Sequence, residues 1–229
     1  MKAKFKNRTS AAYRLGGLVR HQALHKPLIL SIPNGGVEVG CILSSRLKCE
    51  DNIILVRKIP SPLNPHYSIG AVSEFGDIHL NDDSYGWSRA TQEFAQEKAQ
   101  ALINLLLQQR TSFSSYRFRP EIRGRDVMLV DDGVVTGETA LEAIRFIRLH
   151  APRRVLLVTP VVTKHALERM RMEQVDVVCL AVEKHLDVTA EAYEEFPEFT
   201  DADVIDCLKK SQSKDTPPRA SPELFSLSA

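Results

Sequence analysis

No run in this sequence approaches the ~18 uninterrupted apolar residues that a membrane helix requires, so no spanning segment is expected. The first ten residues, MKAKFKNRTS, contain no apolar signal core, and a cytoplasmic protein is the expectation. Four cysteines, Cys41, Cys49, Cys179 and Cys207, are scattered with no Cys-x-x-Cys pair, which argues against a zinc site or a disulfide framework. The formal charge is only +1, and no long Lys/Arg run interleaves with aromatic residues. Nucleic acid and anionic membranes are therefore not expected partners. Internal repeats are absent as well. What remains is a chain of 229 residues, 43% hydrophobic, able to bury one good core.

The most informative stretch is Val127 to Thr139, VMLVDDGVVTGET, an apolar strand that runs into two carboxylates and then a Thr-Gly-Glu-Thr turn opening a helix. Gly133 and Gly137 permit backbone angles closed to other residues, and Thr136 and Thr139 add hydroxyl donors. Successive N–H groups in such a turn form an anion-binding concavity, and the helix dipole points its positive end at the same place. Asp131 and Asp132 cannot hold the anion, but they can accept hydrogen bonds from sugar hydroxyls. A sugar phosphate is the implied ligand. The plainer alternative is an ordinary strand, turn and helix with a polar cap.

Alternation of short apolar runs with helix-forming segments places this motif in a larger frame. Helical character over Thr9 to Leu24 precedes a strand at Leu28 to Ile32, the turn Pro33-Asn34-Gly35-Gly36, a helix over VEVGCILSSRL and a strand at Asn52 to Val56. Pro/Gly/Asn-rich sequence then runs from Ile59 to Asp83, with a hairpin turning at Phe75-Gly76-Asp77, and a long helix covers Ser88 to Gln109. Beyond the acidic motif come a helix over Glu138 to Leu149, a strand at Val155 to Val161, a helix at Lys164 to Arg171 and a strand at Val175 to Ala181. The expected fold is α/β: a parallel, Rossmann-like sheet flanked by helices, with a small α+β insertion at about 59–115. Residues 1–210 form this domain, and 211–229 read as a disordered Ser/Pro/Lys tail in which PELFSL is a candidate docking peptide.

The acidic pair, short spacer and Thr-Gly-x-Thr turn resemble the phosphoribosyl-pyrophosphate (PRPP) motif of the type I phosphoribosyltransferases. The PNGGVEV loop, RKIPSPLNPHYSIGAVSEFGDIHLN and AYEEFPEFTDADV extend the likeness from about Arg14 to about Leu208, toward predicted bacterial members with a small insertion. The resemblance implies that Asp131 and Asp132 hold the ribose, that Gly133, Thr136, Gly137, Glu138 and Thr139 surround the 5′-phosphate, and that Asn34, Gly35 and Gly36 form the pyrophosphate loop. Arg57 and Lys58 resemble the basic pair that bridges to pyrophosphate, with Lys58, Asp131 and Asp132 as catalytic candidates. Glu138, at the phosphate turn, must point its side chain away from the ligand. Tyr193 to Asp203 would form a hood over the acceptor, where Tyr193 or Phe196 stacks on a base or instead packs a lid. Mg²⁺ is the implied cofactor, held mainly by substrate and water, and a homodimer is implied by the relatives.

Two departures bear on function. Asn34 stands where many relatives carry Arg, so it can hydrogen-bond but supplies no charge. Val135 stands where purine-salvage enzymes carry an acid–base Asp, which disfavours a 6-oxopurine mechanism and leaves Val135 only an apolar acceptor contact. The segment after Lys58 adds only His66 and His79 as further cation candidates. The leading reading is a transferase that joins PRPP to a nitrogenous small-molecule acceptor, such as a nucleobase, with release of pyrophosphate. The alternatives are a non-catalytic PRPP or nucleotide sensor on the same fold and, third, a scaffold without a ligand.

Overall fold

The computed structural model describes residues 3–63, 68–74, 76–80, 88–113 and 120–212. Expectations for His66, Phe75 and the tail beyond residue 212 fall outside the described residues. Among the described residues, no helix is long and apolar enough to cross a membrane.

Strands β1 (Leu28–Ser31) and β6 (Asp126–Val130) are buried along their whole length, which explains the apolar runs Leu28 to Leu30 and Val127 to Val130 within them. With β2 (Glu50–Ile53), β7 (Arg154–Thr163) and β8 (Asp176–Glu183) they form one parallel sheet in the order β2-β1-β6-β7-β8. Alternate side chains serve opposite faces. Ile29, Met128, Val130, Leu156 and Val158 pack with Ala12, Leu15, Val39 and Leu43 of helices α1 (Arg8–Val19) and α2 (Gly35–Leu47). Leu28, Leu30, Leu129 and Leu157 instead meet Leu141, Ile144, Ala166 and Met170 of helices α4 (Glu138–Leu149) and α5 (Lys164–Met172).

The insertion is an antiparallel sheet of β3 (Val56–Pro60), β4 (Ser68–Ser73) and β5 (Ile78–Leu80) backed by the helix α3 (Arg89–Phe113). Ala99, Ile103 and Leu106 recur on one face of α3 and pack on Leu55, Ile59 and Val72. At the far end of α3, Phe113 joins Val37 and Ile53, returning the chain to the main domain. The expected hairpin is present, and Gly76 takes a φ of 81° at its turn.

One expected strand is corrected. Asn52 to Val56 is not a single strand: β2 stops at Ile53 and β3 begins at Val56 in the other sheet. The cause is a buried carboxylate, because Glu74 Oε1 accepts from the Leu55 amide at 3.0 Å and the Glu74 amide donates back to the Leu55 carbonyl at 3.1 Å. Arg57 and Lys58 consequently sit on the insertion and not at the end of a central strand. Smaller differences lie at element ends: α1 ends at Val19 where Leu24 was expected, and α3 runs on to Phe113.

A final helix, α6 (Asp201–Gln212), takes in the first two residues assigned above to the tail. Its start carries a readable signal. The Asp203 carboxylate accepts from the Thr200 amide at 2.8 Å, and Thr200 Oγ1 accepts from the Asp203 amide at 3.3 Å, a reciprocal cap of the capping-box kind. Val204 and Leu208 then seat the helix against Val37 of α2.

Candidate functional site

From β1 the chain passes outward through α2 to β2, and from β6 it passes the other way through α4 to β7. The strand order therefore reverses between β1 and β6, and their carboxyl ends open a crevice where ligands of such sheets bind. Both loops singled out from the sequence lie there. Pro33 to Gly36 follows β1, with a cis peptide between Pro33 and Asn34, and Asp131 to Gly137 follows β6.

The two loops touch through glycine. A β-carbon on Gly35 would lie 1.9 Å from Asp132 Oδ2, and one on Gly36 would lie 2.8 Å from the Val130 carbonyl oxygen and 3.0 Å from Asp131 Cα. Only a bare backbone allows this approach. Gly133 is similarly crowded, its virtual β-carbon falling 2.4 Å from Thr189 Cγ2.

The segment after the acids is held along the extension of β7. The Val134 amide donates to the Val161 carbonyl at 2.9 Å, the Thr163 amide returns to the Val134 carbonyl at 3.0 Å, and Thr163 Oγ1 donates to the Val135 carbonyl at 2.6 Å. Gly137 then adopts φ 76° and ψ 0° as the N-cap of α4. Thr136 and Thr139 are both exposed, and the first N–H groups of α4 have no intrahelical partner by construction. This is a concave, donor-rich turn suited to an anion.

Asp131 and Asp132 differ in surroundings. Burial, reinforced by the adjacent Asp132 charge, pushes the Asp131 carboxyl well above the usual carboxylate range, while its Oδ1 accepts the Asp132 amide at 2.9 Å. Asp132 Oδ2 instead accepts from Arg8 Nε at 2.6 Å. Arg8 was not singled out from sequence, and nothing local announces it, since its partner lies 124 residues away. Arg169 of α5 was missed for the same reason; its guanidinium donates to the Thr136 carbonyl at 2.8 Å and backs the turn.

Lys58 faces α4 from the insertion and is ion-paired with Glu138, which also lies 3.8 Å from Arg169. The Glu138 side chain thus engages cations beside the turn. Burial pulls the Lys58 ammonium below its ordinary value; Glu142 opposes this and Arg169 reinforces it. Val56, Arg57, Lys58, Leu102, Thr139 and Glu142 line a cleft of about 250 Å³ between insertion and α4. Because Glu138 competes with any bound anion for Lys58, Glu138→Gln is expected to tighten inorganic phosphate binding about two- to fivefold, the scale of a half-exposed pair. Calorimetric phosphate titration checks this; weaker binding in the variant would make the carboxylate part of the anion site's framework.

Two of the remaining expectations take a structural form. Asn34 Nδ2 donates to the Phe199 carbonyl at 2.8 Å and to Asp201 Oδ1 at 3.3 Å, so its side chain ties the loop to the start of α6. Tyr193 is buried between Phe5 and Phe196 and donates to the Asp132 carbonyl, its phenol pushed upward chiefly by burial. Phe196 is covered on one face by the Arg8 guanidinium, 3.7 Å from the ring centroid. Val135 packs beside the same aromatic cluster.

The chain is similar to several known proteins over most of its length. Residues 15–194 match the model of the phosphoribosyl transferase domain. A Mycobacterium tuberculosis protein, provisionally named a phosphoribosyl transferase, is 29% identical over 210 residues, which cover 90% of this chain and 47% of that protein. The chain thus spans about half the length of the curated relatives it matches. The crystal structure of a protein from Thermus thermophilus, TT1426, superposes with a TM-score of 0.84 at 32% identity, covering 90% of this chain and 98% of that one. A hypothetical protein from Neisseria gonorrhoeae, solved with bound ppGpp, shares the fold alone, with a TM-score of 0.50 and 11% identity over 94% of this chain and 99% of that one.

Proposed function

The chain belongs to the phosphoribosyl transferase domain family, and on that premise we propose that it binds PRPP and transfers the 5-phosphoribosyl group to a nitrogenous acceptor, releasing pyrophosphate. One observation carries the reading: the paired acids and glycine turn of β6 meet the Gly35-Gly36 loop of β1 at the reversal of strand order. Ribose hydroxyls would donate to Asp131 and Asp132. The 5′-phosphate would sit on the turn from Thr136 to Thr139, and the pyrophosphate against Gly35 and Gly36.

The protein then mainly positions the reacting atoms. As the bond from the anomeric carbon to pyrophosphate breaks, positive charge grows on the sugar ring and is stabilised by the nearby carboxylates. The acceptor nitrogen forms its bond from the opposite face, inverting that centre, and its proton passes to solvent. Val135 offers no acid–base group. Among the described residues no cluster of three or more His, Cys, Asp or Glu side chains is arranged to hold a metal. Mg²⁺ would fit as a cation held by pyrophosphate, ribose hydroxyls and water, screening the leaving group's charge.

Lys58, released from Glu138, would reach the departing pyrophosphate. Lys58→Ala is expected to lower pyrophosphate release about tenfold or more while PRPP affinity falls less, since a charge-assisted contact that strengthens as the bond breaks acts on the rate. A release assay over nucleobases and small amines, beside PRPP calorimetry, reads both; equal losses would contradict the role. The second reading, a non-catalytic PRPP or nucleotide sensor, is favoured by the Asn34 side chain being engaged with Phe199 and Asp201. PRPP binding without release for any acceptor would support it.

A further inference from the structure

Arg8 occupies the first position of α1, in a first turn with no acidic residue of its own, where a cation opposes the helix dipole. Its placement must come from elsewhere. Backbone bonds stitch the preceding residues to the hood: the Lys4 amide donates to the Ala192 carbonyl at 2.9 Å, the Glu194 amide to the Phe5 carbonyl at 2.9 Å and the Glu195 amide to the Lys6 carbonyl at 2.8 Å. Asn7 and Ser10 close a reciprocal cap on α1. The guanidinium is thereby delivered into the protein, with the side chain only 5% exposed.

Once there it joins parts far apart in sequence. Nε donates to Asp132 Oδ2 at 2.6 Å, Nη1 donates to the Pro197 carbonyl at 2.8 Å and lies 3.8 Å from Glu38 of α2, and the plane lies on Phe196. Gly35 leaves room for it, since a β-carbon there would come within 2.9 Å of Arg8 Nε. Arg8, Phe196 and Pro197 all lie outside the residues matched by the family model.

We propose that Arg8 is a positioning residue of the acidic pair: it compensates the charge of Asp132 and fixes that carboxylate, so that a polyanionic sugar phosphate can settle beside two acids. The idea rests on the sugar-phosphate reading of the site. Two uncompensated carboxylates would repel such a ligand. With Arg8 in place the pair presents about one net negative charge fewer, and its geometry is locked to the hood through Pro197. Among the described residues, the other charged or titratable groups around this arrangement include Glu38 of α2, which lies 3.8 Å from Arg8 Nη1, and Tyr193, whose hydroxyl donates to the Asp132 carbonyl and whose phenol feels both Asp131 and Asp132.

The sign of the pH dependence follows. Arg8 lowers the Asp131 titration against burial and Asp132, which raise it. Removing Arg8 moves that titration further up. The repulsion felt by a phosphate ligand is then greatest above the new midpoint and fades as pH falls through it, when a proton replaces the missing cation.

The test compares wild type with Arg8→Gln and Arg8→Lys by two readouts. Carbon-13 NMR titration of the Asp131 carboxyl, without ligand, should show an upward midpoint shift in Arg8→Gln and a smaller one in Arg8→Lys. PRPP calorimetry should show about a tenfold or greater loss for Arg8→Gln at alkaline pH, shrinking toward acid pH, with partial rescue by Arg8→Lys. An unchanged Asp131 midpoint, or a PRPP loss of the same factor at every pH, would overturn the proposal and reduce Arg8 to a structural tie. If Arg8→Gln fails to fold, Arg8→Lys decides through the same two readouts, because it keeps the charge but loses the fork shared by Asp132 and Pro197. Absence of PRPP binding in wild type would refute the sugar-phosphate reading, while the ligand-free titration still judges Arg8.

Discussion

Replacing Asp131 and Asp132 together by Asn is expected to weaken PRPP binding at least about 100-fold, because each hydrogen bond from a ribose hydroxyl to a charged acceptor contributes roughly 1.5–3 kcal/mol. The fold should survive. Asp131→Asn removes a partly buried carboxyl whose ionisation is opposed by desolvation and by its neighbour, which relieves a cost above that group's raised titration. Asp132→Asn removes the charge beside Arg8 but leaves an amide oxygen to accept from Nε, and the Pro197 carbonyl and Phe196 ring still hold the guanidinium. The two effects on stability oppose each other, so cooperative unfolding should persist while binding is lost. Calorimetry with PRPP and a thermal melt of the same sample separate them. Wild-type affinity in the double variant would remove the ribose site.

The second large effect is expected at Gly36. A methyl group there meets the Val130 carbonyl oxygen at 2.8 Å and Asp131 Cα at 3.0 Å, both backbone atoms that no rotamer change can move aside. The β1 loop must therefore retreat from the β6 loop. Overpacking of this kind costs about 1–3 kcal/mol, a fall of several degrees in Tm for a chain of this size. Binding should suffer more than stability, since the crevice between the loops is the proposed ligand site. Gly36→Ala is expected to lower PRPP affinity by at least about tenfold, the scale set by losing one charge-assisted contact. A melt and a titration indistinguishable from wild type would show that the two loops do not depend on each other.

Much of this site was legible before any coordinate. The apolar run to Val130, the acids, and Gly137 at the turn announce themselves locally, because strand, turn and helix cap are each written within a few residues. The parallel sheet followed from the alternation of strands and helices. What escaped depended on contacts distant in sequence. Arg8 reaches Asp132 across 124 positions, and Arg169 backs Thr136 across 33. The break of Asn52 to Val56 into two strands turned on Glu74, a carboxylate whose burial no local pattern reveals. By contrast, the start of α6 is written locally, in the reciprocal cap between Thr200 and Asp203.

Lys58 is engaged by Glu138, and Asn34 by the Phe199 carbonyl and Asp201 at the start of α6. On the proposed reading, a polyanionic ligand would compete with Glu138 for Lys58. The same competition would let a sensor distinguish PRPP from a monophosphate.

The most direct measurement is a PRPP titration of the wild-type chain by calorimetry, with and without Mg²⁺, beside the Asp131→Asn, Asp132→Asn double variant. Magnesium-dependent binding that disappears in the double variant is the predicted result. No binding of PRPP by the wild type under either condition would contradict the assignment of the crevice between β1 and β6 as a phosphoribosyl site.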